Sequence, residues 1–208
     1  MVGRTTIKAV VFDIGGVLER VDTPDALVSR WKARLGMTDE EFEAAADQVD
    51  RKASAALSLP VPERAYRQYW VDALGLSERQ ADEFMRDLWD WYCGELDQEL
   101  MSFAVSLRPR YATAILSNSG PGAREQEEAR YGFSALFDPI VYSHEVGLEK
   151  PDPRVYRLTC DLLGVEPHEV VFLDDTPISV EGANEVGMIG VLHTSTSESI
   201  RAITALLG

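Results

Sequence analysis

The apolar positions of the chain fall into two regimes. In the first, short unbroken runs stop abruptly at a polar residue. Residues 8–12 run through Val10, Val11 and Phe12 into Asp13, and Gly15 and Gly16 follow. A run of this kind, rich in β-branched residues and closed by glycine, predicts a buried strand ending in a tight turn. Residues 111–116 repeat the pattern ahead of Ser117-Asn118, and residues 170–173 repeat it ahead of Asp174-Asp175. Residues 139–143 and 189–192 read as two further short strands. Helical spacing separates these runs. It predicts helices over residues 124–131, 153–163 (Asp152 as N-cap, Pro153 at the first position), 178–186 with Gly187 just past its end, and 197–207. Strands alternating with helices imply an α/β fold, a doubly wound parallel sheet with helices on both faces.

The second regime spans about residues 22–98, where apolar residues recur at helical spacing and strand-like runs are few. Thr23 and Pro24 predict a helix start, with Leu27, Val28, Trp31 and Leu35 on one face and Gly36 at its end. Thr38 with Glu41 three residues later is a capping-box pattern. Leu59-Pro60-Val61-Pro62 interrupts the chain before a helix to Leu74, and Ser77 opens another through Phe84, Leu88 and Trp91. Four such helices form a small all-α unit. Its aromatic residues Tyr66, Tyr69, Trp70, Trp89, Trp91 and Tyr92 are expected mainly to pack helix against helix. Arg64 and Arg67 are expected on a solvated face.

Composition changes this picture little. The chain has 208 residues, 45% hydrophobic and 26% charged, as in an ordinary globular protein. The formal net charge of −15 opposes binding to nucleic acid or to an anionic membrane surface. The N-terminal residues lack the apolar core of a secretory signal, so the default expectation is a cytoplasmic protein. Cys93 and Cys160 are far apart and read as buried apolar residues. His144, His168 and His193 are scattered and read as surface or structural groups.

The candidate chemistry lies where the strands end. In a parallel sheet the carboxyl ends of the strands share one edge, so Asp13, Ser117-Asn118 and Asp174-Asp175 converge there. Nothing about a packed core requires two acidic strand ends. Close carboxylates repel, and a bound cation is the natural compensation. Mg²⁺ suits such a site, because it takes carboxylate oxygens while keeping water and phosphate oxygens. Lys150, held before Pro151 in a short loop, is the candidate cation of the chain itself.

Together these segments resemble the haloacid dehalogenase-like hydrolases. The resemblance rests on four motifs in order: Val10-Val11-Phe12-Asp13-Ile14-Gly15-Gly16-Val17, Ile115-Leu116-Ser117-Asn118, Lys150-Pro151-Asp152-Pro153 and Val171-Phe172-Leu173-Asp174-Asp175. It implies a Rossmann-like core over residues 1–20 and 99–208 and a helical cap over residues 21–98, with hinges near Glu19-Arg20 and Gln98-Glu99. It implies a Mg²⁺-dependent phosphatase acting on a small phosphorylated metabolite, a sugar phosphate among the candidates. By the same resemblance Asp13 is the nucleophile that forms an aspartyl-phosphate. Ser117, the Asn118 backbone and Lys150 hold the phosphate. Asp13, the Gly15 carbonyl, Asp174 and Asp175 hold Mg²⁺. Oligomeric state stays open, an exposed aromatic face on the cap favouring a dimer.

One position departs from the pattern. Most phosphatases of this type carry a second aspartate two residues after the nucleophile, as general acid and base, and here that residue is Gly15. Water, Asp22 or a cap residue is then needed to relay the proton. Two other readings stay open: a 2-haloacid dehalogenase, whose halide leaves without a proton, and a non-catalytic protein that binds phosphate and Mg²⁺.

Overall fold

The computed structural model describes residues 6–55 and 61–208. The expected break at Leu59-Pro60 and residues 1–5 lie outside them. The first strand, β1 (Ala9–Phe12), is buried along its whole length. Its side chains alternate between two cores, as a strand's period of two requires. Val10 and Phe12 pack into one, while Ala9 and Val11 pack into the other. This is why the sequence shows an unbroken apolar run rather than an alternating one.

The other sheet strands are β4 (Ala112–Ser117), β5 (Ile140–Tyr142), β6 (Val170–Asp174) and β7 (Ile189–Leu192). The sheet order is β5-β4-β1-β6-β7, and every pairing is parallel. The chain therefore leaves β1 in both directions, and the order reverses at this central strand. Crevices at such a reversal are where open α/β sheets bind ligands. Asp13, Ser117 and Asp174 all sit at that edge, at or just past the ends of β1, β4 and β6. The fold is the Rossmann-like α/β architecture expected.

Between β1 and β4 the chain builds a two-stranded antiparallel ribbon, β2 (Glu19–Arg20) and β3 (Glu95–Leu96). Neither strand is long enough to be read from periodicity. Four helices stand between them: α1 (Asp25–Leu35), α2 (Asp39–Ala55), α3 (Glu63–Leu74) and α4 (Glu78–Cys93). The Thr38–Glu41 and Ser77–Gln80 capping boxes both form. Thr23 does not cap α1. Pro24 already has helical dihedrals, its carbonyl accepts from the Val28 N–H, and the Thr23 hydroxyl donates instead to the Asp25 carboxylate.

The aromatic residues behave as expected in part. Trp31, Phe84 and Trp70 stack in sequence and are buried. Trp70 and Trp89, with Tyr66, Trp91 and Tyr92, also border a cavity of about 800 Å³ that reaches Ser119 and His144 of the core. Arg67 pairs with Glu78 and Asp82 at the surface.

Residues 98–107 are a helix, α5 (Gln98–Leu107), which periodicity alone does not assign. Leu100, Met101, Ala104 and Leu107 are buried, and the buried Asp97 carboxylate accepts from the Leu100 N–H to cap the first turn. Helix α6 (Ala123–Tyr131) follows the sequence closely, whereas the single turn α7 (Ser143–Val146) begins at a residue expected to end a strand. The helices α8 (Pro153–Leu163), α9 (Pro177–Glu185) and α10 (Thr196–Leu207) again follow the sequence closely. Among the described residues no helix is long and apolar enough to cross a membrane.

Candidate active site

Asp13 is fixed from below. Its backbone N–H donates to the Leu173 carbonyl of β6 at 2.9 Å, extending the ladder one residue past β1. The chain then turns. Gly16 adopts a left-handed backbone (φ +74°), and a Cβ there would run into the Asp175 carboxylate. Gly16 is thus required twice, by the turn and by the close approach of Asp175.

Lys150 lies between two of the acids. Its Nζ is 2.8 Å from Asp13 Oδ1 and 2.6 Å from Asp174 Oδ2, and all three side chains are buried. Asp174 Oδ1 accepts from the Thr176 N–H at 2.8 Å, so this carboxylate is held at both oxygens. Burial pushes the Asp13 carboxyl up to about 7; Lys150 pulls it down, and the Asp174 charge adds to the rise.

Ser117 ends β4 and is buried beside this group. The Asn118 side chain has a use that the sequence does not suggest. Its Oδ1 accepts from the Lys150 N–H at 2.8 Å and its Nδ2 donates to the Lys150 carbonyl at 2.9 Å. The amide therefore clamps the backbone of the lysine loop to the end of β4.

These residues surround one cavity of about 510 Å³, which Asp13, Gly15, Gly16, Ser117, Asn118, Lys150 and Asp175 all line. Asp22 is elsewhere. Its side chain is exposed, it does not border this cavity, and its carbonyl accepts from Trp91 Nε1. Val21, one residue before it, does border the cavity, so the chain leaves the site at this point. His144 bonds Ser119 Oγ and His193 bonds Ser199 Oγ; burial lowers both imidazoles.

One carboxylate oxygen from each of Asp13, Asp174 and Asp175 lies within 4.8 Å of the others. Three acids face a single lysine, and the Gly16 backbone leaves room for the third. This donor set is all oxygen and over-supplied with negative charge, so it fits a hard divalent cation such as Mg²⁺.

Two further acids border the same cavity and carry no sequence signal as site residues. Glu19 starts the ribbon and Glu127 lies on α6. Both are buried. Among the described residues Glu19 has no hydrogen-bond partner on either carboxyl oxygen, and Glu127 has none on Oε1. Glu127 Oε2 accepts from the Tyr142 hydroxyl. Burial, with the neighbouring Glu127 charge, pushes Glu19 up to about 9; burial pushes Glu127 up to about 7. The only hint in the sequence is that Glu127 lies four residues after the buried Ala123, on the inward face of an otherwise polar helix.

The haloacid dehalogenase-like hydrolase family model matches residues 7–187. The chain belongs to this family. Bifunctional epoxide hydrolase 2 from Sus scrofa is 30% identical over 119 residues, which is 55% of this chain and 21% of that protein. The match thus spans only about a fifth of that larger relative. Phosphoserine phosphatase from Thermus thermophilus is 32% identical over 145 residues, 67% of this chain and 57% of that enzyme. (S)-2-haloacid dehalogenase 4A from Burkholderia cepacia is 32% identical over 77 residues, 37% of this chain and 33% of that enzyme. Among solved structures, a HAD family enzyme from Bacteroides thetaiotaomicron, in complex with magnesium and inorganic phosphate, superposes with a TM-score of 0.73. That match covers 89% of this chain and 93% of the other at 21% identity, a likeness of fold.

Proposed function

We propose that this hydrolase is a Mg²⁺-dependent phosphatase of a small phosphorylated metabolite. The observation that carries the reading is Lys150 bridging Asp13 and Asp174 beside Asp175. A carboxylate nucleophile must approach a phosphate that is itself anionic. The lysine between the acids lowers that repulsion, and phosphoryl transfer asks mainly for positioning and charge neutralisation.

In this reading Asp13 attacks phosphorus as the P–O bond to the ester oxygen breaks and that oxygen takes a proton from water; a second water then attacks phosphorus, which frees the Asp13 carboxylate and inorganic phosphate. Dividing hydrolysis in this way replaces one difficult displacement by two easier ones. Ser117 and the Asn118 backbone N–H donate to the phosphoryl oxygens, while Lys150 neutralises nucleophile and phosphate together. Asp13, the Gly15 carbonyl, Asp174 and Asp175 would hold Mg²⁺, which supplies further charge neutralisation at the phosphoryl group. Residues 21–98 serve as a cap over the strand ends, swinging on the ribbon.

The trio of Asp13, Asp174 and Asp175 favours this reading over a dehalogenase, since displacement of halide from carbon gives Asp175 no task. The test is phosphate release from a panel of sugar, nucleotide and organic-acid phosphates. Release is expected with Mg²⁺, lost in EDTA, and lost by at least about 10³-fold in Asp13→Asn. Release that persists in EDTA, or metal-independent halide release from 2-haloacids instead, overturns it.

A further inference from the structure

We propose that Glu19 and Glu127 form a second subsite of the same cavity, which receives a leaving group bearing hydrogen-bond donors, either hydroxyls or an ammonium. The inference rests on the phosphatase reading and names the kind of alcohol released.

The starting point is cost. A buried carboxyl without partners is unfavourable, and apolar residues of similar volume generally stabilise a fold more. Here three of four carboxyl oxygens on two buried side chains have no partner among the described residues. Among the described residues neither acid makes a direct ion pair, although the Arg130 charge acts on Glu19 and the Arg124 charge on Glu127. Lys150 is taken by Asp13 and Asp174, and Arg130 is turned to Asp90 and Gln126. Both residues line the cavity that also holds the nucleophile, and their unpartnered oxygens are closed off from bulk water.

Their placement is fixed by the backbone rather than left to chance. The Gly16 N–H donates to the Glu19 carbonyl at 2.8 Å, and the Glu19 N–H donates to the Ile14 carbonyl at 2.9 Å. Glu19 is thereby locked to the turn that follows Asp13. Glu127 is oriented by the Tyr142 hydroxyl, which leaves Oε1 free.

The chemistry of the occupant follows from what the groups offer. Neither acid carries a positive charge to hold the phosphate, a task left to Lys150, and their unpartnered oxygens offer acceptors instead. What they accept from is an O–H or N–H on the other end of the ester. Half-buried Trp91 and Tyr92 border the same space and supply apolar faces against which a carbon skeleton can pack.

The test compares propyl phosphate, 3-hydroxypropyl phosphate, glycerol 1-phosphate and 3-aminopropyl phosphate, with p-nitrophenyl phosphate as reference, all with Mg²⁺. Wild-type protein is expected to prefer at least one donor-bearing ester over propyl phosphate by about tenfold or more in kcat/KM. The hydroxyl and amino arms separate a polyol from an amine. In Glu19→Leu and in Glu127→Gln, which keeps an acceptor for Tyr142, the preference is expected to shrink to less than about threefold. Thermal melting of Glu19→Leu is expected to rise or hold, because an orphaned acid has been removed; Glu19→Gln serves as the same-size control. Turnover with no preference for donors, or a preference that survives both substitutions, overturns the subsite alone. A lower melting temperature in both Glu19 variants assigns the acid to structure and also overturns it. Failure to turn over any of the five esters overturns the phosphatase reading, and the subsite with it.

Discussion

Asn118 holds Lys150 by its backbone, not by its charge. Both ends of the Asn118 amide are used, one on the Lys150 N–H and one on its carbonyl. The lysine's Nζ is left to Asp13 and Asp174. A charge that must lie within 3 Å of two acids on two different strands cannot be placed by a floppy loop. The polar strand end of β4 therefore sets the reach of a residue 32 positions later.

This relationship predicts the effect of Asn118→Ala. Two hydrogen bonds are lost, so stability should fall by about 1–2 kcal/mol. Turnover should fall further, by about 10–100-fold, because the cation is no longer held between the acids. Urea melts and steady-state kinetics check the two together. A loss of stability with unchanged kcat would show that Lys150 finds its place without the clamp.

Gly15 predicts a gain. A Cβ at this position meets no heavy atom within 4 Å, and its backbone is outside the left-handed region. An aspartate therefore fits where most phosphatases of this type carry their general acid. In Gly15→Asp the hydrolysis of alkyl phosphates, which need a proton on the leaving oxygen, should rise by about tenfold or more. Aryl phosphates, which leave readily, should change little. The ratio of the two kcat/KM values is the measurement. An unchanged ratio would mean that another group already delivers the proton.

The buried acids predict a slope of stability against pH. Glu19 goes from about 4.5 unfolded to about 9 folded, and Glu127 from about 4.5 to about 7. A raised folded value means that the native state holds the proton more tightly. The contribution is full below about pH 4.5 and is lost as pH rises through about 7 and then about 9. Glu127, Arg130 and Asp13 are the charges that act on Glu19. The urea midpoint of wild-type protein should fall between pH 5 and pH 9, and that of Glu19→Leu should fall less. Parallel curves for the two proteins would place the titration elsewhere.

The central strands were legible because burial on both faces leaves an unbroken apolar run, and three of the runs stop at candidate site residues, Asp13, Ser117 and Asp174. Helix starts at Thr38, Ser77 and Asp152 were legible from capping chemistry. The ribbon was not, since two residues carry no period. Nor was α5, whose apolar residues surround most of the helix and blur its face. Asp22 was a candidate by its closeness in sequence to Asp13, but its side chain is exposed and stays outside the cavity that its neighbour Val21 borders. Glu19 and Glu127 were invisible for the opposite reason. A glutamate in a charged stretch reads as solvated, and only the packing of Tyr142, Tyr92 and the ribbon around these two reveals that water is excluded.

The ribbon also bears on how such a chain can change over generations. Glu19 pairs with Leu96 and Arg20 with Glu95, so the stretch between them leaves and re-enters the core at neighbouring points, about 5 Å apart. Closing a loop across so short a gap costs only slowly more as the loop lengthens. Residues 21–94 can thus be shortened, extended or exchanged while the strands that carry Asp13, Ser117 and Asp174 keep their register. The two-residue strands are a graft point, at which the inserted stretch can be replaced while Glu19 on the ribbon and Glu127 on α6 stay with the core.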